Sequence, residues 1–147
     1  MIADLAGASM DQRNFTEWQP RYSVGDYELD NQHKKILSLC RQSIDGIDDN
    51  SREGIVSFHL ILNDLAEYAD RHFKTEEALL AASGYPLPAQ HIEEHLEYRC
   101  KLTELLFDAT SGRVDKDSLQ RYLAEWWYQH ILTSDMQYAK FIRAVGR

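Results

Sequence analysis

Residues 58–79 read FHLILNDLAEYADRHFKTEEAL. Phe58, Leu62, Leu65, Ala69, His72, Glu76 and Leu79 recur in alternating steps of four and three, so they share one face of an α-helix. Two residues in that stripe do not belong in an apolar core. A buried imidazole or carboxylate needs a partner, or its desolvation goes uncompensated. His72 and Glu76 are i, i+4 neighbours and point the same way from successive turns. Ser83-Gly84 is a C-terminal cap signal, and Pro86 follows it.

The same rhythm extends to both sides. A segment starting near Asp30, a candidate N-cap, carries His33, Ile36, Leu37, Cys40, Ile44 and Ile47 on one face. Gly46, Asp48, Asp49, Asn50 and Ser51 form a polar break after it. Beyond the central stripe, His91, His95, Tyr98, Leu102 and Leu105 define a third helix closing near Ser111-Gly112. A fourth starts around Asp117 or Ser118, reads Leu119, Leu123, Trp126 and His130, and continues through Tyr138 towards Phe141. Pro20, Pro86 and Pro88 all lie outside these stripes, as uninterrupted helices require. No strand-like alternation or hairpin signal competes. The expected fold is all-α: an up-and-down antiparallel four-helix bundle with an N-terminal arm. Residues 1–14 read as a flexible tail, and residues 15–147 as the bundle domain. Trp18, Tyr22 and Val24 should hold the arm, residues 15–25, along the bundle.

Composition limits the partners. The chain has 147 residues, with 16 Lys+Arg against 24 Asp+Glu and a net charge of -8. Such a surface repels phosphate, which argues against nucleic acid and anionic membrane. No apolar run approaches the ~20 residues of a membrane span, and the start has no signal-peptide pattern. Two cysteines are too few for a disulfide framework and point to the reducing cytoplasm.

The six histidines carry the functional signal. One histidine on an apolar face is ordinarily a hydrogen-bonded core residue. Here His33, His72, His91, His95 and His130 lie on four stripes, joined by Glu76, and the middles of four antiparallel helices meet at one axis. That is a metal site in composition and geometry. His59 serves as a control, since it lies about 140° around the helix from His72 and points away. Asp135 follows His130 by five residues, also about 140° in an α-helix, so the two must flank a shared centre from opposite sides. Cys40 and Cys100 read as small buried hydrophobes.

These residues resemble the hemerythrin family, especially its bacterial single-domain and sensor-linked members, from about Trp18 to Phe141. The matching elements are Trp18, Tyr22-Ser23-Val24-Gly25 and Leu29-Asp30-Asn31-Gln32-His33; His72-Phe73-Lys74-Thr75-Glu76-Glu77; His91-Ile92-Glu93-Glu94-His95; and Trp126-Trp127-Tyr128-Gln129-His130-Ile131 with Asp135. The resemblance implies two iron ions in a non-haem di-iron centre with an oxo or hydroxo bridge. One iron would take His91, His95 and His130, and the other His33 and His72, with Glu76 and Asp135 bridging. The two-histidine iron is then one ligand short, an open position for dioxygen. Phe73, Trp126, Trp127 and Ile131 match apolar positions lining the oxygen pocket.

The function implied is reversible dioxygen binding by a carrier, store or sensor rather than an enzyme. The alternatives are a di-iron peroxidase, oxidase or nitric-oxide-handling enzyme, with peroxide or nitric oxide as ligand, or an iron-storage protein.

Overall fold

The computed structural model describes residues 15–46, 49–110 and 116–144, and all its regular elements are helical. After a 3-10 turn at Pro20–Tyr22 come α1 (Tyr27–Gly46), α2 (Arg52–Ala82), α3 (Ala89–Thr110) and α4 (Lys116–His130). A π-helical turn at Ile131–Asp135 joins α4 to α5 (Met136–Ala144). Helix α2 packs between α1 and α3, and α4 returns against α1. The helical bundle expected from the stripes is therefore present. The tail, Ile47 and the Ser111-Gly112 stop lie outside the described residues.

Caps set the helix ends. Asp26, not Asp30, caps α1: its Oδ1 accepts the Leu29 N–H at 3.0 Å. Asp30 lies one turn inside the helix and holds the arm instead. Its Oδ2 accepts the Ser23 hydroxyl at 2.6 Å and its Oδ1 the Val24 N–H at 2.9 Å. The chain reaches α1 through Gly25 at φ +85°, a left-handed conformation that favours glycine. Ser51 caps α2 by accepting the Gly54 N–H at 3.0 Å. At the other end Tyr85 N donates to Leu80 O at 3.0 Å and Gly84 N to Ala81 O at 3.1 Å, with Gly84 at φ +78°. That is the Schellman closure signalled by Ser83-Gly84.

The arm packs as its aromatic content requires. Tyr22 and Val24 are buried, Phe15 and Tyr22 meet the Tyr128 ring edge-on, and Lys34 sits over the Trp18 ring. The core divides in two. The larger cluster contains Leu37, Leu62, Leu65, Phe73, Tyr98, Leu102, Leu123 and Trp127. The smaller consists of Val24, Leu29, Leu80, Tyr138, Ala139 and Ile142. Because α1 and α3 run opposite to α2 and α4, the histidine positions fall between these clusters. Cys40 is buried as expected, and burial pushes its thiol pKa up. Cys100 is exposed, contrary to the buried reading, because it faces away from the α3 stripe. His59 is half-buried on the α2 flank.

Candidate metal centre

Each helix delivers its polar residues to one layer. His33 comes from α1, His72 and Glu76 from α2, His91 and His95 from α3, His130 from α4, and Asp135 from the π turn. All seven are buried. They form two groups sharing Glu76: Glu76, His91, His95 and His130, then His33, His72, Glu76 and Asp135. Within each group one donor atom from every residue lies within 4.8 Å of the others.

The carboxylates straddle the groups. Asp135 Oδ1 lies 3.1 Å from His91 Nε2 and 3.2 Å from His130 Nε2, while its Oδ2 lies 3.1 Å from His33 Nε2. Glu76 Oε1 lies 3.1 Å from His91 Nε2 and 3.0 Å from His95 Nε2. Its Oε2 lies 3.6 Å from His72 Nε2 and accepts the Tyr138 hydroxyl at 2.8 Å.

Asp135 reaches this layer by a route an α-helix does not provide. In α geometry five residues overshoot a turn, whereas the π turn closes i to i+5. His130 and Asp135 thus face the same centre from one side, and the expectation that they flank it from opposite sides is corrected. The fourth helix is correspondingly interrupted, where the stripe had implied one continuous rod.

The ring orientations identify what fits between these groups. Nδ1 of His72 meets Gln32 Oε1 at 2.6 Å, Nδ1 of His95 meets Glu77 Oε2 at 2.6 Å, and Nδ1 of His130 meets Glu94 Oε1 at 2.7 Å. Those oxygens accept, so each Nδ1 carries the hydrogen, and in a neutral ring Nε2 presents a lone pair. The lone pairs face inward, towards carboxylate oxygens. Nε2 of His33, His72, His95 and His130 and both Asp135 oxygens make no hydrogen bond despite burial. Unsatisfied buried acceptors facing one another are an arrangement that bound cations would satisfy. Imidazole nitrogen with carboxylate oxygen is a donor set suited to iron.

Electrostatics agree. Burial works against ionising the Glu76 and Asp135 carboxyls, but the surrounding histidines hold both well below the usual range. Burial also opposes charge on His91 and His130, yet the same carboxylates raise them to about 9 and about 10. For His72 burial dominates, with His33 adding to it, and the value falls to about 3. A metal-free centre therefore carries protons where cations would sit.

Residues 24–142 match the family model described as the hemerythrin HHE cation binding domain. The chain belongs to the hemerythrin family. It is 25% identical to a bacteriohemerythrin of Stenotrophomonas maltophilia over 127 residues, covering 86% of this chain and 81% of that one. A hemerythrin-like protein of Naegleria gruberi is 29% identical over 121 residues, covering 82% and 88%. A wild-type hemerythrin crystal structure superposes with a TM-score of 0.74 at 25% identity, covering 84% of this chain and 95% of that chain. The hemerythrin domain binds two iron ions, and the two donor clusters here are able to hold metal.

The aromatic neighbours divide by side. Phe73 stacks on His95 at 4.0 Å, and Trp126 on His130 at 4.5 Å. Trp127 lies 6.5 Å from the His33 ring and 5.9 Å from His72, stacks on Phe73, and donates its Nε1–H to Tyr98 Oη at 2.8 Å. Phe73, Trp127 and Ile131 are buried, whereas Trp126 reaches a surface hollow. Sequence reasoning missed Gln32, Glu77, Glu94 and Tyr138. Their available signal was position, since Gln32, Glu77 and Glu94 each adjoin a site residue in the chain.

Proposed function

We propose that this hemerythrin domain binds dioxygen reversibly at its di-iron centre, as a carrier, store or local sensor. The carrying observation is the inequality of the two donor groups: three imidazoles converge on one side and two on the other. His91, His95 and His130 would hold one iron and His33 and His72 the second, with Glu76 and Asp135 spanning both. When bound, the iron pair supplies the electrons and the open coordination position that dioxygen requires.

The protein's part is to hold and exclude. Gln32, Glu77 and Glu94 keep three rings turned so that their Nε2 lone pairs point inward. Tyr138 donates to Glu76 Oε2 and keeps that carboxylate in place. Phe73 and Trp127 wall the centre, in ring contact with His95, His72 and His33, and Ile131, next to His130 in the chain, would extend that wall; all three are at most 1% exposed. A dry wall withholds the water and protons that would carry reduced oxygen away, which favours reversible binding over turnover. Trp126, stacked on His130 beside solvent, would guard the three-histidine side. Among the described residues no helix is long and apolar enough to cross a membrane, and two free thiols support a cytoplasmic setting.

The test is to load the chain with ferrous iron without air, admit oxygen, and then remove it. A charge-transfer band should appear and vanish over repeated cycles. A band that never forms, or forms once and does not reverse, rejects the proposal. Sustained turnover of peroxide or nitric oxide above free-iron controls would move the reading to a di-iron enzyme.

A further inference from the structure

The outer hydrogen bonds follow a rule around the bundle. Gln32 of α1 serves His72 of α2, Glu77 of α2 serves His95 of α3, and Glu94 of α3 serves His130 of α4. Each helix thus turns a histidine of the next one. The step from α4 back to α1 is missing, because His33 Nδ1 is buried with no hydrogen-bond partner among the described residues. The partners also differ in charge. Two rings of the three-histidine group donate to carboxylates, at 2.6 and 2.7 Å, and Ser134 adds a 2.6 Å hydrogen bond to Glu94. On the two-histidine side one ring donates to a neutral amide and the other to nothing.

An imidazole that donates to a carboxylate is the more basic ligand and is held more firmly. Negative charge just behind the ligands also favours the more highly charged metal. We propose that Glu77 and Glu94, set against Gln32, are positioning residues that rank the two irons: the three-histidine site binds iron more tightly and is oxidised first. This inference rests on the division of ligands in the proposed function. It assigns a role to residues that touch neither iron nor dioxygen.

The full chain, loaded anaerobically with ferrous iron, is titrated with ferricyanide as a one-electron oxidant. In the first step one Fe(II) becomes Fe(III), ferricyanide becomes ferrocyanide, and the imidazole proton stays in its Nδ1–H···Oε hydrogen bond. Glu77→Gln and Glu94→Gln keep an acceptor oxygen and remove only the charge. Each should raise the first potential by roughly a tenfold change in the redox equilibrium, about 59 mV for one electron. Each should also weaken the tighter ferrous-binding step, measured by chelator competition, by about tenfold. Gln32→Glu supplies the missing charge on the other side and should narrow the gap between the two potentials. Two irons bound with potentials unmoved in all three variants overturns the ranking and leaves the site reading intact. A parent chain that binds no iron pair, or keeps it after His91→Ala, overturns the site reading itself.

Discussion

On one side of the histidine layer Phe73, Tyr98 and Trp127 interlock with Leu62, Leu65, Leu102, Leu119 and Leu123. On the other, the buried cluster is Val24, Leu29, Leu80, Tyr138, Ala139 and Ile142. The larger side is an ordinary helical core, held by apolar burial. The smaller side depends more on polar ties: Tyr138 to Glu76, Asp30 to Ser23 and Val24, and Arg143 Nη2 to the Ser23 carbonyl at 3.0 Å. A metal pair in the layer would therefore cross-link the end that packing supports least.

Removing the metal tests that contrast most severely. At free ferrous iron 1,000 times the dissociation constant, binding contributes about 4 kcal/mol to stability, and chelation should abolish it. Hydrogen exchange should show the loss unevenly. Amides of Leu29, Leu80, Ala139 and Ile142 should lose protection before those of Leu62, Leu65, Leu102 and Leu123. Uniform loss along all helices would mean that the two sides do not differ in this way.

Core truncation comes next in size. Leu65→Ala, in the larger cluster, should cost about 2–5 kcal/mol in denaturant unfolding of the metal-free chain and leave iron stoichiometry unchanged. Leu80→Ala should fall at the low end of that range, because its cluster has fewer buried neighbours to lose contact with. Equal costs would remove the asymmetry.

Alkaline pH should act through the layer itself. His91 and His130 are raised to about 9 and about 10 in the metal-free chain, against an unfolded value of about 6.5. Their contribution to stability is complete below about pH 6.5 and is lost as pH climbs through those raised values. The metal-free chain should therefore melt lower at pH 10 than at pH 7. The loaded chain should change less, since ligated imidazoles have given up those protons. Iron loading at pH 7 should release about two protons, measurable by calorimetry in buffers of different ionisation enthalpy. No proton release would place the cations elsewhere.

The helices were legible because stripe spacing and cap chemistry act locally. Ser83-Gly84 closes α2 as its residues dictate, and His33, His72, His91, His95 and His130 all point where period 3.6 sends them. Asp135 was misplaced because that period was carried through a π turn, which depends on tertiary packing and leaves no distinctive residue pattern. Asp26 and Asp30 are both acidic and one turn apart, so composition could not say which one caps α1. Gln32, Glu77 and Glu94 sit beside site residues in the chain, about 100° around their helices. They serve histidines of neighbouring helices, so only the assembled bundle reveals their roles.

Tyr138 gives the finest test, because one atom separates packing from the polar tie. Its ring is buried in the smaller cluster and meets Tyr85 edge-on at 6.1 Å, while its hydroxyl crosses to Glu76 Oε2 at 2.8 Å. Tyr138→Phe keeps the ring and deletes the hydrogen bond, leaving a buried carboxylate oxygen without that donor. The cost should be about 1–3 kcal/mol in the metal-free chain, the range for a buried acceptor left unsatisfied, because His72 Nε2, 3.6 Å from the same oxygen, presents a lone pair and cannot replace the donor. Iron should still bind at two per chain, since neither a candidate ligand nor a helix has moved. If denaturant unfolding shows no loss, the smaller end is held by packing alone. The contrast between the two sides would then be one of size and not of kind.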